Sequence, residues 1–179
     1  YVVLTDSCTH AMELCLRFAP PVVKVTLPKH TYLSVPMMLH KLGIDFEYND
    51  VTWDYQYQIY PTQVWDSARA FDKDMFIPGQ LQCLSFGHTK RLQIGHGGAI
   101  LVDDEFQYQT LKEMAYDGRN LSINPWQNQP HFRLGFHYNM RLEDAAKGIE
   151  MLGAGDLREK ITQLVKYPDC SKITIDIPQ

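Results

Sequence analysis

Two kinds of hydrophobic pattern alternate along this chain. Short apolar or β-branched runs are typical of strands, and stretches with apolar residues every three or four positions are typical of helices. The first such stretch places Ala11, Leu14 and Phe18 on one face, and the second ends at Gly43, a residue that commonly closes helices. The predicted strands are 2–4, 22–27, 44–48, 62–65, 82–86 and 99–102, and the predicted helices are 10–18, 32–42, 105–116 and 142–152.

This alternation predicts an α/β fold, a three-layer sandwich around a mainly parallel sheet. Residues 49–61 are aromatic and polar without a clear period, and we interpret them as a connector. The helix at 142–152 is expected to turn Ala145, Ala146 and Ile149 inward. The tail is expected to form a helix from Asp156 and a strand over 173–177. We therefore divide the chain into a domain over 1–155 and a short tail over 156–179.

Composition narrows the functional classes. A chain of 179 residues can form one domain with a genuine core. Its net charge of −4 and the absence of long Lys/Arg runs argue against a nucleic-acid partner, and no apolar run is long enough for a membrane span. The four cysteines lack metal-site spacing, which favours reduced thiols in a cytoplasmic protein. Without an initiator Met, the natural N-terminus is expected to lie upstream.

Polar residues follow three predicted strands. Asp66 and Lys90 lie just beyond two of these strands, and the turn Ser7-Cys8-Thr9 follows the first strand. Ligands of α/β proteins collect outside the carboxyl ends of the strands, so these features are expected to meet at one edge. The turn precedes a helix and can offer backbone N–H groups to a phosphate, to which Ser85 can add a hydroxyl.

The spacing of Asp66 and Lys90 suggests a specific cofactor. A lysine amine can form a Schiff base with an aldehyde cofactor, and a buried aspartate can keep a pyridine nitrogen protonated. Lys90 ends the stretch SFGHTK and is followed by the turn GHGG at 95–98. This order predicts a pyridoxal phosphate site with Lys90 and Asp66 as its catalytic residues. The alternatives are a solvated surface lysine at 90 and a simple turn or N-cap aspartate at 66.

Other chemistries fit the sequence less well. His88 and His96 do not have standard metal-ligand spacing, and no metal site is predicted. GHGG is not a dinucleotide fingerprint, and GHTK lacks the frame of a nucleotide P-loop. Cys8 at a predicted helix start could be a reactive thiol, but no base partner can be identified. A cysteine hydrolase therefore remains a remote alternative.

At these residues the sequence resembles the DegT/StrS family, the nucleotide-sugar aminotransferases among the fold-type I pyridoxal phosphate enzymes. The resemblance runs from Ser7 to about Leu152. It implies a phosphate-binding turn at Ser7, Cys8 and Thr9 and a phosphate ligand at Ser85. It also implies a cofactor-stacking ring at Tyr32, a pyridinium partner at Asp66 and a Schiff-base lysine at Lys90. Finally, it implies a loop at 135–140 whose Asn139 contacts the phosphate of a partner subunit.

The resemblance also implies an overall function. The chain would be a reduced fold-type I large domain that lacks most of the C-terminal small domain, its tail being a remnant of that domain. It would bind pyridoxal phosphate, transfer an amino group from glutamate or glutamine to a keto-sugar nucleotide, and form a cytoplasmic homodimer with shared active sites. Arg69 stands where the family usually has His or Gln, and His137 replaces a common Asn.

Two alternatives stay open at the level of the sequence. The first is a non-catalytic reduced homologue that keeps the fold, or even the cofactor, as a binding or assembly module. It is favoured by the sequence that is missing around 49–61 and after 152. The second is a truncated gene product that has lost the cofactor, against which the intact Asp66, Ser85 and Lys90 argue.

Overall fold

The computed structural model describes residues 1–159 and 167–176. Within them, a five-stranded sheet has the order β1-β7-β6-β5-β4, and β2 and β3 form a separate parallel pair. The strands are β1 (Val2–Thr5), β2 (Lys24–Pro28), β3 (Asp45–Asn49), β4 (Tyr57–Gln58), β5 (Val64–Asp66), β6 (Leu81–Ser85) and β7 (Gly98–Leu101). The helices are α1 (Cys8–Phe18), α2 (Ser34–Leu42), α3 (Glu105–Ala115) and α4 (Leu142–Ala154).

The α/β class is confirmed, but the larger sheet is mixed rather than mainly parallel. β1 and β6 both run antiparallel to β7, β5 runs parallel to β6, and β4 runs antiparallel to β5. The sequence pattern missed this because the described chain between β6 and β7 forms a compact loop without a crossover helix, which suits antiparallel neighbours. β1, β5 and β6 nevertheless share one direction, so their carboxyl ends lie at the same edge.

The core lies on both faces of the sheet. Because strand side chains alternate between faces, Cys83 and Ile100 pack into a cluster with α1, α2 and α3, whereas Leu84 and Ala99 pack into a second cluster. That second cluster includes Phe86, Leu92, Ile94 and Met140, with Phe71 and Met75 of the loop after β5 and Ala145 and Met151 of α4 packed against it. The described residues therefore form the three predicted layers.

The connector at 49–61 contains structure that its pattern did not indicate. It includes β4, and it joins the two sheets because the Thr26 N–H donates to the Tyr60 carbonyl at 2.8 Å. Tyr57 of β4 is only 6% exposed. Its burial comes from tertiary contacts, which a local period cannot reveal.

Helix α4 matches its predicted span, but its predicted inward face is only partly correct, because Ala145 packs against the second cluster whereas Ala146 and Ile149 do not. Ile149 is 72% exposed, Ala146 is exposed and Ala145 is half-buried, whereas Asp144 and Gly148 are the buried residues. A Cβ on Gly148 would lie 2.7 Å from Ile94 Cδ1, so the helix approaches the protein through its smallest residue. The apolar stripe of α4 is left facing outward.

The tail also differs from its prediction. Residues 156–159 are not helical and residues 173–176 are not a strand, while the remainder of the predicted helix and Ile177 lie outside the described residues. α4 ends at Ala154 and is capped by Gly155, whose φ of 67° is left-handed. The division of the chain at 155 stays a prediction.

Candidate functional site

The start of α1 is fixed against the sheet edge by its own sequence. Ser7 is the N-cap, and its Oγ accepts from the His10 N–H at 3.2 Å. Asp6 Oδ1 accepts from Ser7 Oγ at 3.2 Å and lies 2.7 Å from His10 Nδ1. A Cβ at Gly98 would lie 2.6 Å from the Cys8 nitrogen, so only glycine allows this approach of α1 to β7. The first backbone N–H groups of α1 have no partner within the helix.

A cavity of about 850 Å³ opens beside this helix start, at the carboxyl ends of β1, β5 and β6. This volume lies within the usual range for small-molecule sites. The structure brings together seven of the eight predicted site residues in its lining: Ser7, Cys8, Thr9, Tyr32, Asp66, Ser85 and Lys90.

Asp66 ends β5 and is only 4% exposed. Its Oδ1 accepts from the Ala68 N–H at 3.0 Å, and its carboxyl also accepts from the Tyr57 hydroxyl, which lies 2.5 Å from Thr31 Oγ1. Burial raises the pKa of Asp66 above its usual value, although these hydrogen bonds and the charge of Lys90 oppose the rise. None of the ion pairs among the described residues includes Asp66.

Lys90 is held by a loop that folds back on itself. Its N–H donates to the Gly87 carbonyl at 3.0 Å, and Phe86 then pairs with both Gly95 and Gly97 at 2.9 Å. Gly95 and Gly97 have φ values of 108° and 114°, which L side chains rarely adopt. Burial lowers the pKa of Lys90, and the nearby Asp66 and Cys8 oppose this shift. The amine is therefore neutral, and nucleophilic, over a wider pH range than an exposed lysine.

Several lining residues were not identified from the sequence. Ser34 and Arg69 both line the cavity. Ser34 Oγ lies 2.7 Å from Thr9 Oγ1, and Arg69 donates to the Asp54 carbonyl at 3.0 Å. Tyr167 comes from the tail. Ser34 could have been found as a hydroxyl at a helix start. Arg69 was noted only as a departure from the family, and Tyr167 lies in the tail between the helix predicted from Asp156 and the strand predicted over 173–177, where no motif marks it.

The loop that carries Asn139 lies near the site but not in it. The Asp6 N–H donates to the Tyr138 carbonyl at 2.7 Å, and the Tyr138 ring stacks on His10 with centroids 3.7 Å apart. Asn139 does not line the cavity of its own chain, and its Oδ1 is buried without a hydrogen-bond partner among the described residues. Its predicted contact with a partner subunit stays a prediction.

The described residues contain no group of three or more His, Cys, Asp and Glu side chains that could hold a metal ion. In the same part of the chain, no helix is long and apolar enough to cross a membrane.

The lining suits pyridoxal phosphate in its chemistry. A buried carboxyl without an ion-pair partner faces a cavity large enough for a ring, and a protonated ring nitrogen would complete that pair. An amine of lowered pKa lines the same cavity. The helix start and two neighbouring hydroxyls, those of Thr9 and Ser34, suit a phosphate.

The fold is that of the large domain of fold-type I aminotransferases. The chain belongs to the DegT/DnrJ/EryC1/StrS aminotransferase family, whose model matches residues 67–164. Pyridoxal phosphate is the cofactor expected of this family. No curated protein matches the chain in sequence.

Solved structures support the fold. PseC from Helicobacter pylori, an aminotransferase involved in the biosynthesis of pseudoaminic acid, is 13% identical with a TM-score of 0.71, over 87% of this chain and 54% of PseC. The sugar aminotransferase CalS13 from Micromonospora echinospora is 14% identical with a TM-score of 0.67, over 87% and 56%. NtdA from Bacillus subtilis, solved with bound cofactor PMP, is 20% identical with a TM-score of 0.63, over 84% and 43%. The chain thus spans about half the length of these proteins.

Proposed function

We propose that this chain binds pyridoxal phosphate through Lys90 and acts in amino transfer from glutamate or glutamine to a keto-sugar nucleotide. The observation that carries the proposal is the shared cavity of Asp66 and Lys90, in which burial raises the pKa of Asp66 and lowers the pKa of Lys90. Such opposed shifts in one cleft are typical of sites that do proton chemistry.

Each residue has a role in this proposal. Lys90 Nζ would hold the aldehyde group of the cofactor, and after release it would carry a proton between the substrate carbon and the cofactor. Asp66 would keep the ring nitrogen protonated. When bound, the cofactor supplies an electron sink for this chemistry.

Phosphate binding is assigned to the start of α1. The N–H groups of Cys8 and Thr9 begin the helix after the Ser7 cap, where partial positive charge accumulates. Ser85 lines the same cavity and can donate its hydroxyl. Tyr32 is 61% exposed at the cavity, so its ring has a free face to cover the cofactor ring.

A homodimer with shared sites is part of the proposal. The outward stripe of α4 contains Leu142 at 83% and Ile149 at 72% exposure, and Leu134 in the preceding segment is 75% exposed. Apolar surface of this kind marks interaction sites. The proposal requires a two-fold interface in which the loop of Asn139 reaches the partner's phosphate turn. Light scattering at micromolar concentration is expected to give the mass of a dimer, and a monomer in the presence of cofactor would contradict it.

The experiment that tests the main proposal is a titration with pyridoxal phosphate followed by absorbance. The wild-type protein should develop a visible band, and borohydride reduction should fix one cofactor on the peptide that contains Lys90. Lys90→Ala should lose both signals, whereas Lys73→Ala, at an exposed loop lysine, should keep them. A wild-type protein without the band at saturating cofactor would contradict the proposal.

The second candidate is a non-catalytic homologue that keeps the fold as a binding or assembly module. It is favoured by the short connector at 49–61, which contains only the two-residue strand β4 where the resemblance implies further family sequence. The two candidates differ in a single measurement. An active protein should convert bound cofactor to its amino form when glutamate or glutamine is added, and Asp66→Asn should slow this at least about 100-fold, the scale of losing a charge-stabilising group. A module would bind cofactor without this conversion.

A further inference from the structure

The described part of the tail, residues 167–172, lies against the segment that follows β2. The Cys170 N–H donates to the Lys29 carbonyl at 2.8 Å, and His30 Nδ1 lies 3.0 Å from the Tyr167 carbonyl. Asp169 pairs with His30 as an isolated antiparallel bridge, and the Cys170 side chain is buried at 2% exposure. We call residues 167–172 the strap. These contacts fix its backbone on both sides of residue 169.

The strap places one aromatic ring at the cavity. The Tyr167 ring stacks on Trp53, with centroids 5.7 Å apart and planes 15° apart, and meets the Tyr32 ring edge-on at 6.3 Å. Trp53 is itself held by a 2.8 Å hydrogen bond from its indole N–H to the His30 carbonyl. Tyr167 therefore lines the cavity with one face supported from behind.

The charged groups of the site influence the hydroxyl of Tyr167. Burial raises the pKa of Tyr167, and the charge of Asp66 raises it further. The strap lies beyond residue 164, where the match to the family model ends.

We propose that the strap closes the outer side of the cavity with the Tyr167 ring and so controls the access of ligands to Lys90 and Asp66. The ring is the element that blocks entry, and the hydrogen bonds at His30 and Lys29 keep it in place. The proposal concerns the same cavity as the proposed function, but its test needs no cofactor.

Cys8 provides a probe of access, since it lines the cavity, and its thiol, which donates to the Cys83 carbonyl at 3.4 Å, must leave that contact to react. It lines the cavity and is 8% exposed, whereas Cys15, Cys83 and Cys170 are at most 2% exposed and do not line the cavity. The rate at which a small maleimide modifies Cys8, measured on the full chain at mildly alkaline pH and assigned by peptide mapping, reports how often the cavity opens. Alkaline pH is needed because burial holds the pKa of the Cys8 thiol well above its usual value.

Tyr167→Ala should raise the rate of Cys8 modification at least about tenfold, since opening would no longer require displacement of a packed ring. Tyr167→Phe keeps the ring and should react as slowly as wild type. Phe106→Ala, which removes an exposed ring that contacts only Phe18 among the described aromatic rings, is the matched control and should also resemble wild type. His30→Ala loosens the strap and should fall between wild type and Tyr167→Ala.

Three results would overturn the proposal. The first is an unchanged rate in Tyr167→Ala. The second is a rate in Tyr167→Phe equal to that of Tyr167→Ala, because the hydroxyl rather than the ring would then close the cavity. The third is faster modification that maps to Cys15, Cys83 or Cys170, which would indicate a loosened fold. If Cys8 behaves as expected while wild type shows no cofactor band, the proposed function fails and the strap stands.

Discussion

The carboxyl of Asp66 and the amine of Lys90 line one cavity, and each shifts the proton equilibrium of the other. The charge of Asp66 raises the pKa of Lys90, and the charge of Lys90 lowers the pKa of Asp66, while burial acts in the opposite direction on both groups and dominates. The cavity therefore favours the neutral form of both groups. A bound ligand group of opposite charge would stabilise the ionised form of either one.

This coupling predicts a pH profile for Lys90. The rate of acylation of Lys90 by an amine-reactive reagent, followed by peptide mapping, should have its midpoint below that of an ordinary lysine, because burial lowers the pKa of Lys90. Asp66→Asn should move the midpoint further down, since it removes the charge that favours the protonated amine. An unchanged or higher midpoint in Asp66→Asn would show that the two groups are not coupled.

Asp66 also predicts a pH dependence of stability in the cofactor-free protein. The folded-state pKa of Asp66 is raised, so the protonated form contributes stability at low pH that is lost as the pH rises through the folded-state pKa. The free energy of unfolding of wild type, minus that of Asp66→Asn, should therefore fall with rising pH in urea titrations.

A second aspartate gives the opposite sign and serves as the control. Hydrogen bonds from Arg141 lower the pKa of Asp144, with Arg141 Nε 2.9 Å from Asp144 Oδ2. The difference between wild type and Asp144→Asn should accordingly fall as the pH drops. If both differences change in the same direction with pH, burial does not control Asp66.

How much the sequence could predict depends on whether a feature is local. The turn before the first helix, the left-handed closure at Gly43 and the strand ends near Asp66 and Lys90 are local, and the sequence predicted them to within about two residues. The differences are that α1 begins at Cys8 rather than at residue 10 and that Asp66 is the last residue of β5. Because β1, β5 and β6 run in the same direction, the residues at their carboxyl ends, Ser7, Asp66 and Lys90, line one cavity.

Features set by tertiary contacts could not be predicted in this way. Tyr57 hydrogen-bonds to Asp66 from a two-residue strand with no period, and Tyr167 reaches the cavity through strap contacts more than 130 residues distant in sequence. The apolar stripe of α4 predicted burial of Ile149, but the close approach of Gly148 to Ile94 decided the orientation of the helix.

We predict that the site depends on the close backbone contact between Gly98 of β7 and the start of α1. A Cβ at Gly98 would lie within 2.6 Å of Cys8 N and Ser7 C and 2.8 Å from the Leu84 carbonyl oxygen, all of them backbone atoms. Gly98→Ala must therefore shift the start of α1, and we expect a loss of about 2–4 kcal/mol in the free energy of unfolding, together with weaker phosphate binding.

Gly153→Ala is the matched control for that prediction. Its Cβ would meet nothing within 4 Å on α4, and the substitution should raise stability by about 0.5–1 kcal/mol through helix propensity. Urea unfolding measures both variants. Equal effects of the two substitutions would mean that the contact between β7 and α1 does not constrain the site.

We predict that the buried charge of Glu13 stabilises the fold. Glu13 is 1% exposed, accepts from Arg17 and Lys41 at 2.9 Å, and also accepts from the Tyr138 hydroxyl at 3.3 Å. Burial acts to raise the pKa of Glu13, but the hydrogen bonds from Lys41 and Arg17 outweigh it and hold the pKa below its usual value. The ionised form therefore contributes stability above the unfolded-state pKa, and this is lost as the pH falls through the folded-state pKa.

Glu13→Gln keeps the side-chain volume and should lower the free energy of unfolding at neutral pH by about 1–3 kcal/mol. The loss is limited because Lys41 and Arg17 are partly exposed and regain contact with water. Glu47→Gln tests an exposed pair with Lys24 and should have a much smaller effect than Glu13→Gln, because water screens an exposed ion pair. In urea titrations the Glu13→Gln deficit should shrink as the pH falls, since the wild-type carboxyl is then protonated as well. A deficit that is constant with pH would show that the ion pairs of Glu13 do not stabilise the fold.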